Sequence, residues 1–191
     1  KAEGFKQIGI YLDDYEKSNI FAERVARLAA ENATLAHYDF SEQFKTPPTG
    51  GWKRVGEIHL YTYHEDKALT ENIKEGELVA EAVNYCRTLA NMPPSDLKPE
   101  GMAEAARTIA NKIKNLTVTV FDEKRLKAEG MNAILAVGAG SASPPRLIIM
   151  EYSPSEASAK LGKGLREKPL VLVGKGVTFD SGGLNIKPGS H

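Results

Sequence analysis

The feature that most constrains the fold is a helical pattern that extends from residue 70 to about residue 90. Apolar residues recur along it at helical spacing on one broad face, with Val79, Val83 and Cys86 among them. An apolar stripe of this width predicts a helix that packs between two bodies. The helix is expected to end in the sequence NMPP at residues 91–94, because each proline disfavours the helical conformation in the residue before it. We therefore predict that a domain boundary lies on this helix.

Strand-like runs lie on both sides of the long helix. Before it, residues 5–12 (FKQIGIYL) and 57–63 (EIHLYTY) are expected to join one sheet, with a helix at residues 19–31 between them. After it, a second helix begins at Pro99, and Asp122 is expected to cap a short later helix. Four further runs are predicted to be strands, at residues 116–121, 133–137, 146–152 and 170–173. The last three are apolar enough to lie in a sheet that helices cover on both faces. A polar, exposed connection is expected at residues 153–168, and the predicted fold class is α/β throughout.

Composition and charge exclude several classes of function. Lys and Arg number 25 and Asp and Glu number 25, so a net charge of +0 offers no electrostatic attraction to nucleic acid or to an anionic membrane. No apolar run is long enough to cross a bilayer, and the first residues show no cleavable signal pattern. Cys86 is the only cysteine, which fits a reducing compartment, and it is expected to be a small buried residue rather than a nucleophile. These observations predict a soluble, cytoplasmic protein with no membrane partner, and they disfavour nucleic acid as a partner.

A glycine-punctuated loop follows the predicted strand at residues 170–173. Within it lie Lys175, Asp180 and Lys187, at the carboxyl end of a strand, where open α/β sheets build their sites. Glycine permits conformations and close approaches that a side chain would block, so the loop is expected to wrap a ligand. The residues alone also allow a simple salt bridge between lysine and aspartate at a turn.

The full string of this loop is more specific than its residue types. VGKGVTFDSGG at residues 173–183, followed by LNIK, closely resembles the signature of the leucyl aminopeptidase (cytosol aminopeptidase) family. Weaker matches lie upstream at residues 91–104 and 130–152. The resemblance implies part of an N-terminal α/β domain, similar to macro domains, at residues 1–69. A linker helix at residues 70–91 would then lead to the start of the α/β aminopeptidase catalytic domain at residues 92–191.

The resemblance also implies roles for three side chains. Lys175 matches a lysine whose amine ligates a metal ion, and Asp180 matches a carboxylate shared by two metal ions. Lys187 matches a second lysine, whose positive charge stabilises the oxyanion that forms during peptide hydrolysis. The implied cofactors are two divalent ions, Mn²⁺ or Zn²⁺ and in some members Mg²⁺, which hold the attacking water. The implied substrates are peptides with a free N-terminus, preferably beginning with leucine or another apolar residue, and the implied assembly is a homo-hexamer.

The family's site needs further carboxylates and an arginine that residues 1–191 do not supply. Both ends of the chain look cut, since it begins with Lys1 and stops within the loop. We therefore expect residues 1–191 alone to bind metal weakly and to hydrolyse no peptide. Two alternatives to an aminopeptidase remain, namely a DNA- or nucleotide-binding regulatory protein of the same fold and an inactive fragment.

A second glycine-containing segment, GAGSAS at residues 138–143, nearly matches a dinucleotide-binding fingerprint. The third glycine is missing, and Pro144 and Pro145 stand where a helix would have to begin. We expect this segment to form a structural turn beside the metal site.

Overall fold

The structure, a computed structural model, describes residues 5–18, 21–43, 45–47, 49, 51, 54–63, 67–153, 169–180 and 187. The chain divides into two compact units, Lys1–Asn91 and Met92–His191. Each unit mixes helices with strands, as expected for the α/β class. The helix predicted at residues 70–91 falls within the first unit, and its role as a linker between two domains stays a prediction.

The first unit consists of two strands and two long helices. They are β1 (Gln7–Tyr11), α1 (Ala22–His37), β2 (Glu57–Tyr61) and α2 (Lys67–Asn91), with short 3-10 helices at Asp13–Ser18 and Phe40–Gln43. The strands β1 and β2 pair in parallel, with Ile10 opposite Leu60. The prediction that these two runs share one sheet is therefore confirmed.

The core of the first unit lies between one face of this sheet and the two helices. Ile10 and Leu60 point to that face and pack against four buried residues, Leu12, Val25, Ala26 and Leu69. Helices α1 and α2 approach closely at Gly76, where an added Cβ atom would lie 2.3 Å from the carbonyl oxygen of Arg27. The absence of a side chain at Gly76 is therefore what allows the two backbones to meet.

The face that α2 buries differs from the predicted one. Its buried residues are Leu69, Gly76 and Ala80, whereas Val83 is 40% exposed and Cys86 is also exposed. The expectation that Cys86 is buried was wrong. The reason is that α1 packs against the small residues of α2, which permit a short distance between the helices, rather than against its broadest apolar stripe.

The second unit has three helices and two strands in its described part. They are α3 (Pro99–Ala110), β3 (Leu116–Phe121), α4 (Glu123–Ala128), α5 (Asn132–Gly138) and β4 (Leu147–Tyr152). β3 and β4 pair antiparallel, from Leu116 opposite Tyr152 to Phe121 opposite Leu147. The predicted start of α3 at Pro99 is confirmed, and so is the predicted cap of α4, because the Asp122 carboxylate accepts the backbone N–H of Arg125 at 2.8 Å.

Two of the predicted strands are absent. Residues 133–137 lie in helix α5, since a short apolar run fits a helix segment as well as it fits a strand. Residues 170–173 adopt no regular structure, and their side chains are between 70% and 94% exposed. A strand requires a hydrogen-bonded neighbour, and in the described residues β3 and β4 pair only with each other.

Two further expectations concern the polar connection at residues 153–168 and membrane-spanning helices. The connection predicted at residues 153–168 lies outside the described residues from position 154 onward. Among the helices that the structure describes, none combines the length and the apolar character needed to span a membrane.

Candidate metal-binding loop

The candidate loop comprises residues 169–180 together with Lys187. Its backbone is irregular, and Lys175, Asp180 and Lys187 are all exposed. At Gly174 and Gly176 an added Cβ would meet no heavy atom within 4 Å. The described part of the loop therefore does not show the close approach that we expected the glycines to permit. Residues 181–186, with the other two glycines of the motif, lie outside the described residues.

The structure brings two of the three predicted site residues together. The Lys187 Nζ donates to Asp180 Oδ2 at 2.9 Å, and the side chains are 58% and 47% exposed respectively. An ion pair with this exposure contributes at most about 1 kcal/mol to stability, because water screens both charges. Lys175 lies five positions before Asp180 on the same loop and is open to solvent. The salt bridge that the residues alone allowed is thus present, at the position that the family resemblance assigns to metal chemistry.

The donor atoms of the loop suit a divalent cation but do not complete a site. A carboxylate oxygen and a neutral lysine amine are both ligands for Mn²⁺ or Zn²⁺. Divalent ions in proteins take about four to six or more ligands, so Lys175 and Asp180 would supply only part of one coordination shell. In the part of the chain that the structure describes, no group of three or more His, Cys, Asp or Glu side chains could hold a metal ion. These residues therefore fit one portion of a metal centre whose remaining ligands must come from other residues.

An ion-pair cluster links the two weaker motif segments, and the sequence did not predict it. The Arg146 Nε donates to Glu100 Oε2 at 2.5 Å, and Arg107 Nη1 donates to Glu100 Oε1 at 3.1 Å. The hydrogen bond from Arg107, and after it the one from Arg146, lowers the pKa of the Glu100 carboxyl group. Glu100 and Arg107 are seven residues apart on α3, a spacing that a helical projection detects. Arg146 is 46 positions away from Glu100, and no local pattern joins them.

The turn that precedes β4 is tightly packed. An added Cβ at Gly138 would lie 2.8 Å from the Cδ and Cγ atoms of Pro145, so α5 ends against the proline ring. Arg146 also donates to the carbonyl oxygens of Pro144 and Pro145, at 3.3 Å and 3.0 Å. These contacts are consistent with a structural turn in the segment that includes GAGSAS, while its predicted position beside a metal site stays a prediction.

Fold and site together define a mixed α/β chain that carries a candidate metal-binding loop. The chain belongs to the cytosol aminopeptidase family, whose catalytic domain matches residues 84–191, and this confirms the resemblance inferred from the loop.

Curated relatives from several bacteria extend the similarity beyond the catalytic domain. A probable cytosol aminopeptidase of Pseudomonas fluorescens (strain Pf0-1) is 35% identical over 191 residues, which is 100% of this chain and 36% of the relative. The corresponding protein of Chromohalobacter salexigens is 41% identical over 168 residues, which is 86% of this chain and 31% of the relative. The chain therefore spans about a third of the length of the curated relatives that it matches.

Solved structures give the same fold. The bottromycin maturation enzyme BotP in complex with Mn has a TM-score of 0.65 and 28% sequence identity, and the match covers 80% of this chain and 30% of that chain. The cytosol aminopeptidase of Coxiella burnetii has a TM-score of 0.50 at 16% identity, covering 82% of this chain and 46% of that one. At that identity the second match bears on the fold alone.

Proposed function

We propose that the chain supplies part of the catalytic centre of a two-metal aminopeptidase. The enzyme would release the N-terminal amino acid from peptides with a free amino terminus, with preference for leucine and other apolar residues. Family membership supports the class of reaction, since the matched region, residues 84–191, includes the whole candidate loop. The Mn-bound state of BotP supports the use of divalent metal ions.

One observation carries the assignment of the site within this family. Asp180 and Lys187 are in contact at 2.9 Å on an exposed loop. A carboxylate that binds a cation next to an ammonium group is the pairing that metal-assisted hydrolysis uses, because the carboxylate holds the ion and the ammonium faces the developing negative charge.

The chain's own residues have distinct roles in this proposal. Asp180 would hold the metal ions through its carboxylate group, and Lys175 would hold one of them through its neutral amine. When bound, the ions supply an activated water and withdraw charge from the scissile carbonyl. Lys187 would keep its proton, and its ammonium group would donate a hydrogen bond to the carbonyl oxygen as this oxygen becomes negative.

The test uses the natural polypeptide that carries these residues, with leucine p-nitroanilide as the substrate. We expect turnover that is lost after a chelator and restored by Mn²⁺. In Asp180→Asn, metal analysis should find fewer than two Mn²⁺ ions per chain. In Lys187→Met, kcat should fall by roughly 10²- to 10³-fold, as it does when one oxyanion donor is removed.

Two controls make the result specific. N-acetyl-leucine p-nitroanilide lacks the free amino group and should not be cleaved, whereas an endopeptidase or esterase activity would not discriminate in this way. Lys127→Met removes an exposed lysine of α4 and should leave turnover unchanged. If Asp180→Asn retained two Mn²⁺ ions and wild-type turnover, the proposed site would be wrong.

Assembly and location belong to the same proposal. We propose a homo-hexamer, which light scattering coupled to size-exclusion chromatography of the natural polypeptide would measure as six times its chain mass. We also propose a cytoplasmic enzyme, because the single cysteine, Cys86, fits a reducing compartment. Fractionation of cells that produce the protein tests the location.

A further inference from the structure

We infer that Lys187 has a second role, as a competitor of the metal ion for Asp180. The inference rests on the proposed function and concerns how the site is loaded. The Lys187 ammonium donates to Asp180 Oδ2 at 2.9 Å. Oδ2 belongs to the carboxylate proposed to hold the metal ions, so the ammonium and a dication would compete for the same carboxylate.

Two cations cannot both occupy the same lone-pair direction of one carboxylate oxygen. A metal ion that takes the lone-pair direction of Oδ2 that Lys187 now uses displaces the Lys187 Nζ, and the free energy of the lost ion pair then reduces the apparent affinity for metal. The ion pair is weak, because the side chains of Asp180 and Lys187 are 47% and 58% exposed. The reduction in metal affinity is correspondingly small, roughly two- to five-fold.

Displacement of the lysine has a consequence for catalysis. While Lys187 is paired with Asp180, its ammonium group faces a carboxylate and cannot donate to the carbonyl oxygen of a substrate. Once it is displaced, the ammonium is free to do so. Metal loading would therefore convert Lys187 from a counter-ion of the empty site into the group that stabilises the oxyanion, and the site would gain its positive donor only when the metal is bound.

The test measures the affinity for Mn²⁺ alone, without substrate, in the chelator-treated natural polypeptide. Electron paramagnetic resonance of free Mn²⁺ gives the apparent Kd. We expect Lys187→Met to bind Mn²⁺ roughly two- to five-fold more tightly than the wild type, because the competing ammonium is gone. Lys187→Arg keeps a cation at the same position and should bind no more tightly than the wild type.

Lys127→Met is the matched control for loss of one positive charge. Lys127 lies on α4 and is exposed, so its removal should leave the Kd unchanged. If Lys187→Met binds Mn²⁺ as weakly as the wild type, or more weakly, the competition does not exist. An equal gain in Lys127→Met would also overturn the inference, because it would show a general effect of net charge.

The inference and the proposed function fail in different ways. Saturable Mn²⁺ binding and turnover in the wild type, with no change of Kd in Lys187→Met, would remove the competition and leave the aminopeptidase intact. No saturable binding of Mn²⁺ to the wild type would remove both.

Discussion

Gly76→Ala is the substitution whose effect follows most directly from the structure. The added Cβ would lie 2.3 Å from the carbonyl oxygen of Arg27, 3.1 Å from its carbonyl carbon and 3.2 Å from the backbone nitrogen of Glu31. All three atoms belong to the backbone of α1, so no side-chain rotation can relieve the clash. Ordinary contact begins at 3.4 Å, and helices α1 and α2 would therefore have to separate by about 1 Å.

The expected loss of stability is the difference between two opposing terms. Overpacking of a well-packed core typically costs about 1–3 kcal/mol, because neighbouring groups must move away from their preferred contacts. Alanine is favoured over glycine within a helix by up to about 1 kcal/mol, which acts in the opposite direction. The clash at Gly76 involves rigid backbone and acts on the core around Val25, Ala26 and Leu69, so we expect a net destabilisation of about 1–2 kcal/mol.

Urea denaturation followed by far-ultraviolet circular dichroism measures this loss, because the helices of both units contribute to that signal. Gly101→Ala is the control, because the Cβ added there would meet only the Leu97 Cδ1 atom at an ordinary 3.5 Å. If Gly76→Ala were as stable as the wild type, the helices would not be in the close contact described above.

Three further predictions concern the second unit and the activity. In Glu100→Gln the ion pairs with Arg107 and Arg146 lose their charge. Because the folded pKa of Glu100 is lowered, its stabilisation is present above the ordinary carboxyl pKa of about 4.5 and is lost as the pH falls through the lower folded value. The variant should therefore lose up to about 1 kcal/mol at pH 7, and the difference from wild type should shrink in urea titrations below pH 4.5. Asp122→Ala removes the N-cap of α4 and should cost about 1 kcal/mol, seen as faster amide hydrogen exchange at Arg125, whereas Asp122→Ser should retain most of the protection. A polypeptide of residues 1–191 alone should hydrolyse no leucine p-nitroanilide with added Mn²⁺, and robust turnover would show that these residues complete a site.

Local signals in the sequence predicted most of the helices and strands. Pro99 and Asp122 mark helix starts through backbone geometry and side-chain capping, which depend on a few neighbouring residues. β1 and β2 were predicted from their apolar and alternating patterns. The structure differs from the prediction where an apolar run could pack in more than one way. Residues 133–137 fit a helix as well as a strand, and Cys86 lies on an apolar stripe that α1 does not cover.

The motif predicts which residues form the candidate site but not how they are arranged. The motif identified Asp180 and Lys187, and the structure places them 2.9 Å apart. The link between Glu100 and Arg146 could not be predicted, because it spans 46 positions and depends on how β4 and α3 are arranged. A local motif therefore predicts candidate residues, while contacts between distant segments depend on the packing of the whole unit.

The exposed run at residues 170–173 bears on both the fold and the candidate site. Its four apolar side chains are 70–94% exposed. Burying each of them would contribute roughly 1.5–3 kcal/mol, a stabilisation that this exposed conformation does not gain. The run leads directly into Gly174, and its backbone therefore sets the position of Lys175 and Asp180. Metal sites need their ligands held within about 0.5 Å of the productive geometry, which an exposed and irregular segment does not achieve. With residues 170–173 exposed and irregular, we therefore expect residues 1–191 alone to bind metal weakly.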